Sequence, residues 1–391
     1  MKLKDFKSVK DRRVFIEKKL SLSLDNIGSF TIDEAKATSR NCENMIGAAQ
    51  IPLGIAGPIK IKNLPAGEAG LKLKIKNYYV PLATTEGALI ASVNRGCKAI
   101  TESGGASVFV EEVGTTRGPV FKTEGLRQSL EFKTWLDQHF NDLNHQSKKT
   151  SSHINLRKID TRVVGKYVYV RFYFDTEEAM GMNMVTIATT SINQFIESET
   201  GVRCLSVAGN FDIDKKPAWL NIISGRGRRV WAEAVIPQKV LKETLKTTAT
   251  SIYDVWLGKC LLGSAISGSL GFNAHFANMI SALFLATGQD LAHIVEGSAG
   301  ITTTELIDSN LYISVYLPSL MVGTIGGGTT LATQKESLSI LGIKGEKGDT
   351  DKLAKICAGV VLAGELSLLA SLSEGSLAKA HAHLAQGKLL K

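Results

Sequence analysis

Residues 119–207 contain the pattern that most restricts the fold of this chain. Within 167–174, the apolar residues Val168, Val170, Phe172 and Phe174 alternate with Tyr167, Tyr169, Arg171 and Tyr173. Such alternation predicts a strand with one buried face. The whole segment predicts strand, helix, strand, strand, helix and strand at 119–122, 126–143, 156–164, 166–174, 181–196 and 203–207. This βαββαβ order is the ferredoxin-like arrangement.

The segments on either side of this unit predict one larger domain. At 391 residues, the chain is too long for one small core and fits two or three domains. Periodicity predicts a strand at 71–80 and helices at 32–38, 86–101, 237–256, 274–287, 330–341 and 353–383. We therefore expect an α+β fold. Its large mixed domain is formed by 43–118 and 208–391, the small domain 119–207 is inserted, and 1–42 form a helical arm.

The charge of the chain favours anionic partners without selecting one. The formal net charge is +9, and residues 1–20 hold eight Lys or Arg against three acids. A basic surplus attracts nucleic acid, acidic lipid or phosphorylated cofactors. Because no nucleic-acid-binding motif accompanies the N-terminal cluster, we interpret it as a solvated helical face and expect no nucleic-acid partner.

Cysteine usage and hydropathy favour a cytoplasmic protein. The five cysteines are scattered and form no CxxC pair, which is typical of reduced thiols. Between Lys259 and Asp290 there is no Lys, Arg, Asp or Glu, over a length that would span a membrane. Serine, asparagine and histidine interrupt this segment, so we expect buried helices and a loop there, and no membrane span.

An acid, Glu86, stands at the start of the helix predicted at 86–101. In PLATTEG (81–87), Thr84 or Thr85 is placed to cap the helix and Glu86 falls in its first turn. An acid there is favourable without any catalytic purpose, so the position alone does not establish function. Further polar groups for a substrate follow along the helix: Ser92, Asn94 and Arg95.

The loop NFDIDKKP (210–217) combines two acids with two lysines. A lysine beside an acid can stabilise a developing oxyanion, although a surface charge cluster explains the pattern equally well. The segment GRGRR (225–229) adds cations close by. Asp290 ends the uncharged segment, where an acid is unusual but is also compatible with a helix end at the surface.

Two glycine-bearing turns allow close approach of the backbone to a ligand. EAMGMNM (178–184) enters a predicted helix, where a cofactor phosphate can bind, although its methionines fit core packing equally well. GTIGGGT (323–329) precedes another helix. Neither is GxGxxG, so no Rossmann fingerprint is predicted. His381 and His383 stand near the C-terminus without an HExxH or paired CxxC motif, and the sequence predicts no metal site.

Ten of these segments, in one order, resemble the HMG-CoA reductase family, and specifically a soluble catalytic domain of the class I type. They are ENMIGAAQIPLGIAGPI (43–59), PLATTEGALIASVNRGCKAI (81–100), GTTRGP (114–119), AMGMNM (179–184), DKKPAW (214–219), GRGRRVWAEAVIP (225–237), NAHFAN (273–278), TGQD (287–290), GTIGGGT (323–329) and KAH (379–381). Each segment alone is a weak signal, but ten in order across 43–383 are highly specific.

The resemblance implies a reaction, a cofactor and an assembly. The reaction reduces HMG-CoA to mevalonate and CoA by two hydride transfers from NADPH, in isoprenoid precursor synthesis. The large domain is then the substrate domain, and the ferredoxin-like domain binds the nicotinamide cofactor. A homodimer with active sites at its interface is implied, or a tetramer built from two such dimers. A mobile C-terminal tail would carry His381.

Matching motifs also imply roles for single residues. Glu86 resembles the catalytic glutamate, Lys215 the oxyanion-stabilising lysine, and Asp290 the aspartate that links them. His381 resembles the histidine that protonates the departing CoA thiolate. The implied substrate-binding residues are Ser92, Asn94, Arg95, Arg117, Asp214, Lys216, Lys259, His275 and Asn278. The implied cofactor-binding residues are Ser151, Glu178, Ala179, Met180, Gly181, Met182, Asn183, Ile325 and Gly326.

Departures from the family pattern leave alternatives open. AGN (208–210) replaces Ser-Gly-Asn, and Glu178 stands where aspartate is usual. SSH (151–153) lacks the arginine that relatives using NADPH carry, although Lys148 and Lys149 precede it. An NAD(H)-dependent enzyme of mevalonate degradation therefore stays open. So do a CoA-thioester hydrolase or acyltransferase, which needs no hydride donor, and a catalytically inactive CoA-binding scaffold.

Overall fold

A single mixed sheet runs through the part of the chain that the computed structural model describes, namely residue 6, residues 8–64 and residues 74–375. Its strands are β1 (Leu53–Asn63), β2 (Lys74–Ala83), β3 (Ala106–Arg117), β4 (Val120–Lys122), β5 (Asn155–Val164), β6 (Tyr167–Asp175), β7 (Arg203–Ser206), β8 (Gly227–Ile236), β9 (Ile301–Ile307) and β10 (Asn310–Leu320). The main path is β7-β4-β6-β3-β8-β10-β9, with β5 on β6, β1 on β3 and β2 on β1. Strands β1, β3, β8 and β9 were not predicted from the sequence, and in β1 glycines and a proline obscure the pattern.

The inserted unit has the strand order that its sequence predicts. Its strands lie as β7-β4-β6-β5 and all pair antiparallel, which is the ferredoxin-like arrangement. Alternate residues of β6 are buried as predicted, but Arg171 and Tyr173 on the other face are buried too. Residues 221–225 of the large part cover this face, where Arg171 donates to Asn221 Oδ1 at 3.1 Å and to the carbonyl oxygen of Gly225 at 2.9 Å. Strand β3 also pairs with β6, from Thr115 to Arg117, and joins this unit to the large sheet.

Helices cover both parts of the sheet, and several differ from their predicted bounds. They are α1 (Val9–Leu20), α2 (Asp25–Gly28), α3 (Glu34–Arg40), α4 (Leu89–Glu102), α5 (Leu126–Gln138), α6 (Phe140–Lys148), α7 (Met182–Thr200), α8 (Trp219–Ser224), α9 (Gln238–Glu243), α10 (Ala249–Trp256), α11 (Ser264–Ser267), α12 (Phe276–Thr287), α13 (Ile294–Gly297), α14 (Ala332–Ile340) and α15 (Asp349–Glu374). A π-helix, Leu257–Gly263, continues α10. Short 3₁₀ helices lie at Leu291–His293 and Gly327–Thr330.

Two predicted helices are each split in two. The helix expected at 126–143 breaks at His139, whose ring nitrogen lies 2.8 Å from the carbonyl oxygen of Trp135 and whose ring stacks on Trp135. This local side-chain bond competes with helical continuation. The helix expected at 237–256 stops at Glu243 and resumes at Ala249, where Thr248 caps α10.

The helix expected at 86–101 starts later, at Leu89, because Ala88 has a left-handed backbone with φ of 69°. The interpretation of Glu86 as a first-turn residue capped by a threonine was therefore wrong. Glu86 lies in the turn before α4, where its N–H donates to Thr84 Oγ1 at 3.0 Å. The Glu86 side chain therefore does not belong to the first turn of α4.

Helix α15 forms the centre of the large apolar core. Its contact with α4 is so close that a Cβ on Gly96 would meet the carbonyl oxygen of Ala363 at 1.9 Å. Of the described helices, α15 alone is long and apolar enough to cross a membrane, and 78% of its apolar window is buried in the protein. The segment 259–290, by contrast, is divided into several short elements.

The described residues contain three apolar clusters. One cluster holds the buried residues of the large part, a second lies between Phe121 and Val202, and a small third joins Val9, Ala37 and Met45. The domain boundaries at 42, 118 and 207 stay predictions. The predicted mobile tail beyond 375, including His381, lies outside the described residues.

Candidate active site

Lys215 and Asp290 form a close ion pair at the mouth of a cleft. Lys215 Nζ lies 2.7 Å from Asp290 Oδ2, and each side chain is about one-third exposed, at 38% and 35%. They come from the loop after β7 and from the turn after α12, which are far apart in the sequence. The resemblance implied that Asp290 links Lys215 to Glu86. Among the described contacts, Asp290 reaches Lys215 but not Glu86, whose side chain bonds to Asn278 instead.

The loop that carries Lys215 has a strained backbone. Three non-glycine residues within 210–215 have positive φ, at 63° for Asn210, 50° for Ile213 and 57° for Lys215. For a β-branched residue such as Ile213 this conformation is a genuine outlier, and it costs of order 1–3 kcal/mol. Such strain persists only where the surroundings fix it, and it concentrates at functional sites.

Asp290 is held by its neighbours as a carboxylate. Helix α12 ends with Gly288 in the left-handed region, and the Asp290 side chain then accepts from the N–H of Ala292 at 3.0 Å. Burial on its own would raise the pKa of Asp290. Hydrogen bonds from Lys215 and Ala292 and the charge of His293 outweigh burial, so this pKa lies below its ordinary value. The ion pair is therefore present near neutral pH and is lost as pH falls through that lowered pKa.

Glu86 belongs to a second group of polar side chains. Its Oε1 accepts from Asn278 Nδ2 at 3.2 Å, and that amide also lies 3.3 Å from His275 Nδ1. The other ring nitrogen of His275 lies 2.9 Å from the carbonyl oxygen of Gly364 on α15. Glu86 is thus brought to His275 and Asn278, two residues of the distant motif NAHFAN.

A cavity of about 610 Å³ joins the ion pair to the two glycine-bearing turns. Its lining includes Lys215 and Asp290, together with seven of the predicted cofactor-binding residues: Ala179, Met180, Gly181, Met182, Asn183, Ile325 and Gly326. The two turns are linked by a parallel bridge between Ala179 and Ile325. A ligand in this cavity would therefore contact both turns and the ion pair.

Two predicted cofactor-binding residues have other partners. Glu178 turns away to the start of α15, where its carboxylate accepts from the N–H of Gly348 at 2.6 Å and of Thr350 at 2.7 Å. Ser151 Oγ accepts from the N–H of His153 at 3.1 Å, and the His153 ring lies 2.8 Å from Glu177 Oε2. Neither Glu178 nor Ser151 is among the described residues that line the cavity.

A second cavity, of about 540 Å³, lies beside the π-helix. Lys259, within that π-helix, and His275, at the start of α12, both line it. Single-turn π-helices occur frequently at functional sites. The remaining lining is rich in small polar residues: Ser264, Ser267, Ser269, Asn273 and Ser298.

The three predicted binding residues on α4 contact the rest of the fold instead of these cavities. Ser92 Oγ donates to Ser367 Oγ at 3.0 Å, and Arg95 pairs with Glu374 at 2.8 Å. Asn94 Oδ1 accepts from the N–H of Gly57 at 3.0 Å. Within the described residues these contacts join α4 to α15 and β1.

Arg117, Asp214 and Lys216 cluster behind the ion pair. Arg117 Nη1 lies 3.3 Å from Asp212 Oδ2 and 3.6 Å from Asp214 Oδ2. The ammonium of Lys216 donates to the carbonyl oxygen of Asp214 at 3.3 Å and stays exposed. Of these three, Lys216 is the best placed to contact a ligand from solvent.

Sequence reasoning missed a fully buried charge cluster beneath this loop. His293, Glu296 and Arg226 are all 0% exposed, and Arg226 lies 2.6 Å from Glu296 and 2.9 Å from Asp214. A signal did exist: His293 and Glu296, three residues apart, follow Asp290 directly in an otherwise apolar stretch. The ligand atoms of Asp214, His293 and Glu296 lie within 4.8 Å of one another, as in a metal site. The guanidinium of Arg226 already balances both carboxylates, so a cation there would meet repulsion.

Comparison with known proteins assigns the chain to a family. The family model described as hydroxymethylglutaryl-coenzyme A reductase matches residues 8–386. The chain belongs to this family. The 3-hydroxy-3-methylglutaryl-coenzyme A reductase of Methanocaldococcus jannaschii is 49% identical, over 95% of this chain and 91% of that protein. That of Methanothermobacter thermautotrophicus is 46% identical, over 97% and 94%. Membership makes this chain one of a family of oxidoreductases.

A solved reductase structure supports the fold. The class II 3-hydroxy-3-methylglutaryl-CoA reductase of Streptococcus pneumoniae, described as bound to NADPH in open conformations, matches with a TM-score of 0.69 at 18% identity. The match covers 94% of this chain and 97% of that one. Together with the topology above, it confirms the α+β fold class.

Glu178→Gln tests the structural role assigned to Glu178. A neutral amide offers one acceptor oxygen to the N–H groups of Gly348 and Thr350, so we expect the free energy of unfolding to fall by about 1–3 kcal/mol. The measurement is urea denaturation followed by circular dichroism. The matched control is Glu177→Gln at the exposed neighbour, where we expect a much smaller change. Equal stability of the two variants would contradict this role.

Proposed function

We propose that this protein reduces HMG-CoA to mevalonate and CoA with two hydrides from NADPH, in the synthesis of isoprenoid precursors. The observation that carries the proposal is the cavity in which the Lys215–Asp290 pair meets the turns 179–183 and 325–326. One cleft thus offers both a site for a dinucleotide and a cation for a developing oxyanion. Membership in the reductase family supports this combination.

The residues at the cavity fit a phosphorylated dinucleotide. Helix α7 starts after Gly181, at a φ of 87°, and its start has no capping side chain, so that backbone N–H groups at a positive helix end face the cavity. Across from it, a Cβ at Gly326 or Gly327 would meet only open space, which allows close approach of a ligand. Bound NADPH would supply the hydride. The S. pneumoniae enzyme described as bound to NADPH supports this assignment.

Lys215 is proposed as the cation for both reduction steps. Addition of hydride to a thioester or aldehyde carbonyl places negative charge on oxygen, and a preorganised ammonium group stabilises that charge. Asp290 keeps the ammonium in place at 2.7 Å without using all three of its N–H donors. Glu86, beside Asn278, is proposed to participate in the proton transfer that accompanies aldehyde reduction.

Substrate contacts are proposed at the second cavity and its rim. Lys259 and His275 line that cavity, and Lys216 is exposed near the ion pair. A basic group on a polar wall suits an acyl-CoA, which carries phosphates and an amide-rich arm. Arg117 and Asp214 are proposed to act by fixing the loop that carries Lys215, through the contacts described above.

A homodimer is proposed from an exposed apolar stripe near the site. Ile51, just before β1, is 37% exposed, and Leu53 and Ile55, on one face of the start of β1, are 51% and 45% exposed. Contiguous exposed apolar surface marks an interaction site. We propose that a second copy of the chain covers this stripe, in a dimer or a pair of dimers, with the active sites at the interface. A concentration-independent monomer mass in sedimentation would contradict the dimer.

Class and location follow as further proposals. The 46–49% identity to the archaeal reductases, against 18% to the class II structure, supports the class I type. All five cysteines are free and three are buried, which supports a reducing cytoplasm. Exclusive recovery of the expressed protein in the membrane fraction would contradict that location.

A second candidate is an NAD(H)-dependent reductase acting in mevalonate degradation. One observation favours it: the His153 ring is paired with Glu177 at 2.8 Å, where relatives using NADPH were expected to carry an arginine. A carboxylate near the adenosine ribose disfavours a 2′-phosphate and suits a free hydroxyl. Lys148 and Lys149, at the end of α6, are the cations that would oppose this effect.

The first prediction on function concerns Lys215. Purified protein is expected to oxidise NADPH on addition of HMG-CoA, and also on addition of mevaldehyde, because both carbonyls develop an oxyanion. Lys215→Ala is expected to lower kcat at least 100-fold with either substrate. The measurement is NADPH absorbance with matched CoA and mevalonate analysis. Lys239→Ala, at the exposed start of α9, is the matched control. Mevaldehyde reduction at full rate in Lys215→Ala refutes the shared role, and CoA release without NADPH oxidation would favour a hydrolase.

Cofactor preference decides between the two candidates. With NADPH as the physiological donor, kcat/KM is expected to be at least tenfold higher for NADPH than for NADH, since a cation such as Lys148 or Lys149 would add binding energy to the 2′-phosphate. Rates with both cofactors at saturating HMG-CoA measure this ratio. A higher value for NADH would select the degradative enzyme.

His381→Gln separates the two reduction steps. If His381 protonates the leaving thiolate, the variant is expected to lose about 10²–10⁴-fold in HMG-CoA reduction and much less in mevaldehyde reduction, where no thiolate leaves. Steady-state rates with the two substrates test this split, with His383→Gln as the neighbouring control. Equal losses with both substrates would count against thiolate protonation.

A further inference from the structure

Beneath the Lys215–Asp290 pair lies the histidine that the sequence does not single out. His293 is fully buried, its Nδ1 lies 2.7 Å from Glu296 Oε1, and its Nε2 lies 3.7 Å from Asp290 Oδ2. The ring therefore stands between a buried carboxylate and the carboxylate that holds Lys215. In the described structure its Nε2 has no hydrogen-bond partner, and neither has Glu296 Oε2.

Glu296 also contacts the backbone of Lys215 directly. The same oxygen, Oε1, also accepts from Arg226 Nη1 at 2.6 Å and lies 3.4 Å from the backbone N–H nitrogen of Lys215. Lys215 is one of the strained positive-φ residues, so its backbone conformation needs outside support. This oxygen of Glu296 thus supports the backbone of Lys215. His293 lies between the same oxygen and Asp290, which pairs with the Lys215 ammonium group.

We propose that His293, anchored by Glu296, is a positioning residue that holds Asp290 and thereby orients the Lys215 ammonium in the catalytic cleft. The inference rests on the proposed role of Lys215 as the cation that stabilises the oxyanion during reduction. Neither His293 nor Glu296 belongs to any of the ten matched motifs. In metal sites, replacing a residue that orients a ligand typically changes activity by about 10–100-fold, and we expect a loss of similar size here.

Charged groups surround His293 on several sides. The groups that face its ring, directly or through a shared carboxylate, are Asp214, Asp290, Glu296, Arg117, Arg226 and Lys215. When protonated, His293 is a cation among three carboxylates and lowers the pKa of Asp290. Replacing it with a neutral side chain therefore raises that pKa, and the acid limb of the kcat profile moves to higher pH.

The test compares His293→Gln with His139→Gln. His139 is a partly buried histidine of the small unit that contacts Trp135 and lies outside the site. For His293→Gln we expect kcat for HMG-CoA reduction with NADPH to fall about 10–100-fold, KM to stay within about twofold, and the acid limb to move up in pH. For His139→Gln we expect kcat and pH profile to match the parent protein. All assays are run well below the thermal midpoint of every variant.

Glu296→Asp provides a second variant that keeps the buried charge beside Arg226. Its shorter side chain withdraws from His293 and from the Lys215 backbone, so a similar loss in kcat is expected, and it carries the test if His293→Gln does not fold. If both variants keep the kcat and pH profile of His139→Gln, the positioning role is overturned while the proposed reduction stands. If the parent protein does not reduce HMG-CoA with either NADPH or NADH, the proposed function itself is wrong. This outcome differs from a loss of the positioning role alone, in which the parent protein is active.

Discussion

The guanidinium of Arg226 is the interaction on which the site depends. It is fully buried, and its three nitrogens contact Thr116 Oγ1 at 2.8 Å, Glu296 at 2.6 Å and Asp214 at 2.9 Å. These partners belong to β3, to α13 and to the loop that carries Lys215, so one side chain joins three segments. A buried ion pair of this kind adds little net stability, but removal of one partner leaves an uncompensated charge and costs about 3–5 kcal/mol. Its value here is to fix the relative positions of these segments.

That fixed arrangement explains how a strained loop can hold Lys215, the proposed catalytic lysine, in place. Ile213 and Lys215 adopt backbone conformations that a free loop would leave, yet Asn221 Nδ2 donates to the carbonyl oxygen of Ile213 at 3.0 Å, and Glu296 accepts from Lys215. The Lys215 ammonium is then constrained at both ends, by its backbone and by Asp290. A cation that is already in position requires no reorganisation when negative charge appears on the substrate, which is the main source of electrostatic catalysis.

Sequence patterns predicted what depends on periodicity and missed what depends on tertiary contacts. The alternation in β6 and the βαββαβ order led to the ferredoxin-like unit, because each rests on local spacing. Spacing also predicted a helix start at residue 86. In the structure the helix starts at Leu89, because Ala88 has a left-handed backbone conformation. The pairing of Lys215 with Asp290 was expected through matched motifs alone, since 75 residues of sequence say nothing about a distance of 2.7 Å. His293 and Glu296 escaped notice because two of their charged partners, Asp214 and Arg226, come from distant parts of the sequence.

The position of Glu178 shows why the turn 179–183 is available to a ligand. Two helices start close together here, α7 after Gly181 and α15 after Gly348, and each presents N–H groups that its own turns leave unbonded. Glu178, only three residues before Gly181, gives its carboxylate to the start of α15 and none of it to α7. Helix α15 is the core helix, so its start must be satisfied within the protein for the fold to be stable. The start of α7 faces a cavity instead. An anionic ligand bound there could accept hydrogen bonds from the N–H groups of the first turn of α7. The side chain that the motif match assigned to the cofactor thus stabilises the start of the core helix, and the neighbouring backbone N–H groups stay available to a ligand.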